Sequence, residues 1–362
     1  LFKQRAEMAT GETPMDWGFG EALAFASLLE QGTNIRLTGQ DSIRGTFSHR
    51  HAVLHDANTG KKHVPLQTLP QARAAFEVLN SPLSEVAALG FEYGYATTMP
   101  NALIIWEAQF GDFVNGAQIM IDQFISSAEA KWGQTSRLVM LLPHGYEGMG
   151  SEHSSGRMER FLQLGSGDNI VVANCTTPAN MFHLLRRQVH RPFRKPLVVF
   201  TPKKLLRYPK AVSTLADFSK GGFQEVINDP KASNKADTVI FCSGKVYYDL
   251  LEKFEDRVPK NLAVVRVEQL HPFPAEAMAK VMAGYAKNAK VVWLQEEPRN
   301  MGAWTFVNEH MQLHGLGQAQ YVGRSASASP ATRTAHIAPK RSKRPRPRLF
   351  CSVGSGERPG YP

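Results

Sequence analysis

Short apolar runs alternate with longer amphipathic segments along most of this chain. Apolar runs predict strands at residues 35–38, 102–106, 138–142, 170–173 and 197–200. Apolar residues at helical spacing predict helices at residues 115–131 and 178–189, the second of which follows Thr176-Thr177 as a possible cap. Such alternation is typical of an α/β fold with three layers, in which helices cover both faces of a doubly wound, mostly parallel sheet.

The pattern breaks into a polar connection that contains Gly and Asn at residues 217–237 and then resumes. The second unit has predicted strands at residues 238–242, 263–267 and 291–295. Its predicted helices cover residues 246–254, 275–286 and 305–312. These elements predict a smaller open α/β domain at the carboxyl-terminal end.

One acidic residue interrupts an apolar helix start. Ser81-Pro82 predicts the beginning of a helix, since Ser is a good N-cap and Pro is tolerated in the first turn. Glu85 then falls in the first turns of an otherwise apolar segment. A carboxyl group pressed into such a segment is paired, neutral or catalytic. A solvated capping glutamate is the alternative, and these residues alone leave both readings open.

The net charge of +10 comes mostly from the carboxyl-terminal end. Eight Lys or Arg and one Glu follow Ser325, so this segment carries +7 and the rest of the chain only +3. We therefore predict a disordered basic tail at residues 331–362. A shifted reading frame would also explain the change in composition there. Because the rest of the chain has so little net charge, we expect no nucleic-acid partner. No run of uncharged apolar residues is long enough to predict a membrane span.

The three cysteines, Cys175, Cys242 and Cys351, are far apart in the sequence and have neither metal-binding nor disulfide spacing. Histidines are more informative. His49 and His51 have a spacing that in a strand would place both rings on one face, as a metal site requires, but no further Cys or acid follows at ligand spacing. A polar loop lining a cleft is the favoured interpretation, with His51 as a candidate substrate contact. His144 and His153 flank a Gly-rich turn that directly follows an apolar strand, where clefts of α/β sheets form.

Three segments together resemble the thiamin-diphosphate-dependent first component of the 2-oxoglutarate dehydrogenase complex. They read SPLSEVAALGFEYGY at residues 81–95, IIWEAQFGDFVNGAQ at 104–118 and LPHGYEGMGSEHSS at 142–155. The resemblance extends from about residue 17 to about residue 330. It implies a transketolase-like pyrimidine-binding domain at residues 15–225, after the end of a linker at 1–14, and a carboxyl-terminal α/β domain at 226–330.

The resemblance also implies roles for individual residues. Glu85 would be catalytic and would hydrogen-bond a nitrogen of the aminopyrimidine of thiamin diphosphate, and Phe113 would pack against that ring. His153 would be catalytic and contact the substrate-derived carboxylate or the reacting intermediate. His51, in a loop near the active centre, and His144 are further candidates for substrate binding. The implied activity is oxidative decarboxylation of 2-oxoglutarate in the tricarboxylic acid cycle, with transfer of the succinyl group to a lipoyl group. The implied partners are a second copy of the chain, a lipoylated dihydrolipoyl succinyltransferase and the 2-oxo acid substrate.

The sequence lacks the Gly-Asp-Gly run, followed by Asn, with which thiamin enzymes bind the diphosphate and Mg²⁺. We therefore expect the chain to be the carboxyl-terminal portion of a longer protein, inactive alone, with Mg²⁺ bound by the missing portion. Three alternatives remain open: a 2-oxoadipate dehydrogenase, a non-complexed 2-oxoglutarate decarboxylase and a non-catalytic truncated remnant. The expected location is the bacterial cytoplasm, with the mitochondrial matrix as the alternative.

Overall fold

The computed structural model describes residues 2–331, so the predicted tail lies outside the described residues except for Ala331. The strands are β1 Ile35–Gly39, β2 Leu54–His55, β3 Lys62–His63, β4 Phe76–Asn80, β5 Leu103–Glu107, β6 Val139–Pro143, β7 Val171–Ala173, β8 Leu197–Thr201, β9 Val226–Ile227, β10 Thr238–Cys242, β11 Leu262–Val267, β12 Gln269–His271, β13 Lys290–Pro298 and β14 Gln320–Arg324. The α-helices are α1 Phe2–Thr10, α2 Trp17–Glu30, α3 Glu85–Thr98, α4 Gln118–Met120, α5 Ala128–Trp132, α6 Met158–Leu164, α7 Pro178–His190, α8 Leu215–Ser219, α9 Val246–Lys253, α10 Ala275–Met282 and α11 Trp304–Leu313.

A seven-stranded sheet has the strand order β12-β7-β8-β6-β5-β1-β4. All neighbouring pairs are parallel except β12 with β7. The predicted doubly wound α/β fold is confirmed. Strand β12 comes from the second half of the chain, so no single residue separates the strands of one sheet from those of the other. The domain bounds given above stay a prediction.

Alternating side chains of the central strands face two different cores. Ile104 and Trp106 of β5 lie in a core on one face of the sheet, which α3 also lines. Leu103 and Ile105 face the other core, together with residues of α2 and α7. Both faces are therefore apolar and covered, which is why β5 is a continuous apolar run in the sequence.

The second sheet has the order β14-β13-β10-β11-β9 and is parallel except for β9. Phe241 and Trp293 of this sheet belong to the same core as Ile104 and Trp106. A shared core holds the two sheets together. The predicted strands and helices of this unit are confirmed, although α10 ends at Met282, before the predicted residue 286.

The predicted continuous helix at residues 115–131 is wrong. The chain forms a 3₁₀-helix at Gly111–Ala117, the short α4, a π-helix at Ile121–Ile125 and then α5. The Oγ atoms of Ser126 and Ser127 donate to the carbonyl oxygens of Ile121 and Asp122, five residues earlier. These hydroxyl groups compete with the regular α-helical hydrogen bonds and widen the helix at this point.

The start of α3 also differs from the prediction. The cap is Ser84, whose Oγ accepts from the N–H of Ala87, so Glu85 is the first helical residue and Ser81-Pro82 lies outside the helix. No helix within residues 2–331 combines the length and the apolar character needed to cross a bilayer.

Candidate functional site

Six parallel strands of the large sheet end at the same edge. These are β4, β1, β5, β6, β8 and β7. The segments that follow them carry most of the residues predicted to be functional, among them Glu85, Phe113, His144 and His153. Because the carboxyl ends of parallel strands form the usual cleft of an α/β sheet, this edge is the candidate site.

Glu85 is half-buried rather than buried in this chain. Its Oε1 atom accepts a hydrogen bond of 2.9 Å from Nε2 of Gln40, which directly follows β1. Gly116 approaches from the 3₁₀-helix, and a Cβ atom there would lie 3.4 Å from Glu85 Oε2. The carboxyl group is therefore oriented from one side by Gln40, while Oε2 has no hydrogen-bond donor within residues 2–331.

Three aromatic rings and His153 form a cluster beside this helix. The His153 ring centroid lies 4.1 Å from that of Phe110 and 6.1 Å from that of Phe113. Phe110 also makes edge contacts with Phe113 at 5.7 Å and with Phe47 at 5.5 Å. Phe113 lies one turn before Gly116 on the same 3₁₀-helix, and Gly116 is the residue of this helix that approaches Glu85.

The proton position on His153 follows from its neighbour. Its Nδ1 atom lies 3.3 Å from the carbonyl oxygen of Met149. A carbonyl oxygen can only accept, so in this hydrogen bond Nδ1 carries the proton. The Nε2 atom of the neutral ring is then an acceptor that can take up a proton from a ligand.

His144 faces away from this cluster. Its Nε2 atom donates to Oε1 of Glu297 at 2.8 Å, and its Nδ1 atom accepts from the N–H of Gly156 at 3.1 Å. Burial lowers the pKa of His144, but the hydrogen bond and the charge of Glu297 outweigh it and raise the pKa above its usual range. Both ring nitrogens are thus hydrogen-bonded, and the contact with Glu297 joins the two halves of the chain. Substrate binding by His144 stays a prediction.

His51 lies in a loop, residues 40–52, and not in a strand, so the two rings of His49 and His51 do not share a strand face. It has a left-handed backbone with φ of 49° and lines an apolar cavity of about 220 Å³ beside α2. Phe47, not His51, is the residue by which this loop reaches the aromatic cluster. A substrate contact by His51 stays a prediction.

A buried ion cluster anchors the same loop. The guanidinium of Arg50 makes two hydrogen bonds to Glu21 and two to Glu107, at 2.6 to 2.9 Å. Carboxylate oxygens of Glu21 and Glu107 and a ring nitrogen of His49 lie within 4.8 Å of one another, as the ligands of a metal ion would. The Arg50 guanidinium bridges these two carboxylates, so the cluster carries its own cation.

The sequence analysis did not identify Gln40, or Lys203, whose Nζ atom donates to the carbonyl oxygens of Gly145 and His153, as parts of this site. Gln40 had a recognisable signal, because it is the first polar side chain after a strand of the parallel sheet. Lys203 also follows a strand, but nothing in its sequence context distinguishes it from its neighbour Lys204.

The sequence matches two protein families over adjacent ranges. Residues 13–209 match the family described as transketolase, pyrimidine binding domain, and residues 212–344 match the family described as 2-oxoglutarate dehydrogenase C-terminal. The chain is 56% identical over 340 residues to the 2-oxoglutarate dehydrogenase E1 component of Cupriavidus necator. It is 54% and 53% identical, each over 341 residues, to proteins of the same name from Coxiella burnetii and Azotobacter vinelandii.

These alignments cover 91% of this chain but only 36% of each relative. The chain therefore spans a little over a third of the length of the relatives that it matches.

Proposed function

The chain belongs to the transketolase pyrimidine-binding family, in the form found in the carboxyl-terminal portion of 2-oxoglutarate dehydrogenase E1 components, and from this premise we propose that it supplies the pyrimidine side of a thiamin diphosphate site. The enzyme so formed decarboxylates 2-oxoglutarate. The observation that carries the proposal is the position of Glu85, Phe113 and His153 at one edge of the parallel sheet. We propose that the diphosphate and Mg²⁺ are bound by residues outside this chain, which is consistent with its covering 36% of the relative from Cupriavidus necator.

The donor set at this edge fits an aminopyrimidine ring. Gln40 occupies Oε1 of Glu85, which leaves Oε2 for a proton shared with a ring nitrogen. Phe113 and Phe110 provide the apolar, edge-packed surface that a planar heterocycle favours. Thiamin diphosphate, when bound, supplies the carbon nucleophile and the electron sink that decarboxylation of a 2-oxo acid requires.

Glu85 holds a proton at the ring nitrogen. The hydrogen bond from Gln40 sets the orientation of the Glu85 carboxyl group in this contact. The aromatic cluster excludes water from the same surface. The His153 Nε2 atom faces the ligand as a proton acceptor or, once protonated, as a donor to a carboxylate. A 2-oxo acid with a second carboxylate, such as 2-oxoglutarate, can use such a contact.

The finer parts of the proposal follow from the E1 components that the chain resembles. We propose that the succinyl group passes to a lipoyl group on a dihydrolipoyl succinyltransferase, as a step of the tricarboxylic acid cycle. We also propose that two copies of the chain pair, with the protein in the cytoplasm. The apolar side chains of Leu83, Val86 and Ile119, exposed by 85%, 40% and 62% beside Glu85, are consistent with a covering partner.

The decisive experiment replaces Glu85 in the full-length protein. We expect Glu85→Gln to lower turnover of 2-oxoglutarate by about a thousandfold, because one isosteric atom change removes the shared proton. Glu30→Gln, at the exposed end of α2, is the matched control and should turn over normally. Normal turnover by Glu85→Gln in a folded protein would rule out the proposed role of this residue.

A further inference from the structure

Lys203 is a buried lysine that contacts the loop carrying His153. It follows β8 by two residues and only 7% of its surface is exposed. Its Nζ atom donates to the carbonyl oxygen of Gly145 at 2.8 Å and also to that of His153. Within residues 2–331 its hydrogen bonds thus go to two carbonyl oxygens and not to a carboxylate.

Such a position is costly for an ammonium group. Burial lowers the pKa of Lys203 below its usual range, and the charges of Glu147 and Glu296 only partly oppose the shift. A buried charge is unfavourable unless it is paired or fully hydrogen-bonded. The two carbonyl groups provide the hydrogen bonds, and because both belong to one loop, the lysine and the loop stabilise each other.

The two carbonyl groups lie at opposite ends of the loop formed by residues 145–153. Gly145, Gly148 and Gly150 all have positive φ angles, of 153°, 78° and 114°. A loop with three such glycines has few conformational restraints of its own. Lys203 connects its first residue to its last, which is His153 itself.

Other contacts also hold the loop, and the N–H of Gly145 donates to the carbonyl oxygen of Ser154 at 2.9 Å. Tyr146 N–H donates to Glu296, and Ser155 N–H donates to Asp112, each at 3.1 Å. Among the described residues, the contacts of the His153 ring are the one with the Met149 carbonyl and its packing against Phe110 and Phe113. The Lys203 ammonium is therefore the charged group that fixes the His153 backbone.

We propose that Lys203 is a positioning residue for His153: its ammonium group fixes the carbonyl oxygens at both ends of the 145–153 loop and so holds the imidazole against Phe110. This inference rests on the function proposed above, in which His153 is the group that contacts the ligand. Lys203 itself does not touch substrate or cofactor.

The first arm of the test measures the loop in the full-length protein without cofactor or substrate. Lys203→Met keeps the aliphatic stem and removes the charge. We expect amide hydrogen exchange of residues 145–153 to be about tenfold faster or more, and that of α10 to stay unchanged. Lys204→Met is the matched control, because the Lys204 Nζ atom lies 3.2 to 3.3 Å from Asp249 and Glu252. Lys204 contacts the loop through its backbone N–H, which donates to Glu147 and which the substitution leaves in place.

The second arm measures kinetics. We expect Lys203→Met to lower kcat by about tenfold or more, with unchanged affinity for thiamin diphosphate. In a His153→Ala background the same substitution should cost less than about twofold, because a positioning residue has no effect once the group it positions is absent. A general structural role would lower kcat equally in both backgrounds.

Three outcomes would contradict the inference. They are unchanged loop exchange in Lys203→Met, a kcat loss that persists in full without His153, and a His153→Ala variant with normal turnover. A Glu85→Gln variant with normal turnover would instead contradict the proposed function, while accelerated loop exchange would still support the Lys203 contact. Should Lys203→Met fail to fold, Lys203→Gln, which keeps N–H donors without the charge, is compared in its place.

Discussion

Gln40 Nε2 donates a 2.9 Å hydrogen bond to Glu85 Oε1, which joins the first residue after β1 to the first residue of α3. The two residues are 45 positions apart in the sequence. The carboxyl group of Glu85 is thereby turned so that its second oxygen faces the cleft beside Gly116. Gln40 acts on the proposed chemistry only through this orientation.

The first prediction concerns this contact. Gln40→Leu leaves Glu85 Oε1 without a donor, and we expect the affinity of the full-length protein for thiamin diphosphate to fall by about tenfold, the usual effect of losing a hydrogen bond to a charged group. Titration followed by tryptophan fluorescence measures it. Gln71→Leu, at an exposed position, is the control. An unchanged affinity in Gln40→Leu would show that Glu85 needs no such orientation.

Much of the central sheet could be predicted from the sequence, because its strands are buried on both faces. β5 and β6 are uninterrupted apolar segments, which few other structures produce. β4 was missed because it lies at the sheet edge, where Glu77 faces solvent and forms an ion pair with Arg36. Edge strands lack the apolar signal that marks the centre of a sheet.

Helix α2 was missed for a different reason. Its sequence, WGFGEALAFASLLE, contains two glycines in the first turns, and glycine lowers helix propensity. The structure explains Gly18, since a Cβ atom there would lie 2.2 Å from the His49 carbonyl oxygen. The close approach of a distant loop, which no local pattern encodes, selects against any side chain at this position.

Parts of the candidate site could be predicted in the same way and parts could not. Phe113 and His153 follow strands that pair in parallel, β5 and β6, so the sheet brings both residues to the same edge. The sequence predicted the two strands but not that they are neighbours. The partner of His144 was not predictable, because Glu297 is 153 residues away and belongs to the other sheet. Contacts of that kind depend on how the two halves pack.

The second prediction tests the loop that carries His51. Arg50→Met leaves the carboxylates of Glu21 and Glu107 buried without a cation, and removing one partner of such a cluster costs about 3–5 kcal/mol of unfolding free energy. Urea unfolding of the full-length protein measures the change. Arg44→Met is the control, because its 3.5 Å pair with Asp41 is exposed and is worth at most about 1 kcal/mol. Equal effects of the two substitutions would contradict the anchoring role of Arg50.

The third prediction concerns Gly18. Gly18→Ala places a methyl group against the His49 carbonyl, and we expect a loss of about 1–3 kcal/mol, as in other overpacked sites. Gly94→Ala in α3 has no heavy atom within 4 Å and should instead stabilise the protein by about 0.5–1 kcal/mol. Thermal unfolding of the two variants should therefore shift in opposite directions. A shift in the same direction would mean that backbone entropy, not the close contact, dominates at Gly18.

Glu296 links the pH dependence of stability to the contact between the two sheets. Burial raises its pKa, but the charges of Lys245 and His144 and its hydrogen bonds outweigh burial and lower the pKa below 4.5. Its carboxylate lies 2.7 Å from Lys245 Nζ and accepts from the N–H of Tyr146. A group whose pKa is lowered by folding stabilises the protein above its unfolded pKa and loses this contribution as the pH falls through its folded pKa.

The fourth prediction follows from the lowered pKa of Glu296. At pH 7, Glu296→Gln should lower the unfolding free energy of the full-length protein by about 3 kcal/mol, since Lys245 loses a buried partner. The difference between wild type and variant should shrink as the pH falls below about 4.5, because wild-type Glu296 is then protonated in the unfolded state before it is protonated in the folded state. Urea unfolding between about pH 7 and pH 3.5 measures it, with the exposed Glu276→Gln as control. A difference that grows towards low pH would mean that Glu296 is protonated in the folded protein and acts there as a neutral hydrogen-bonding group.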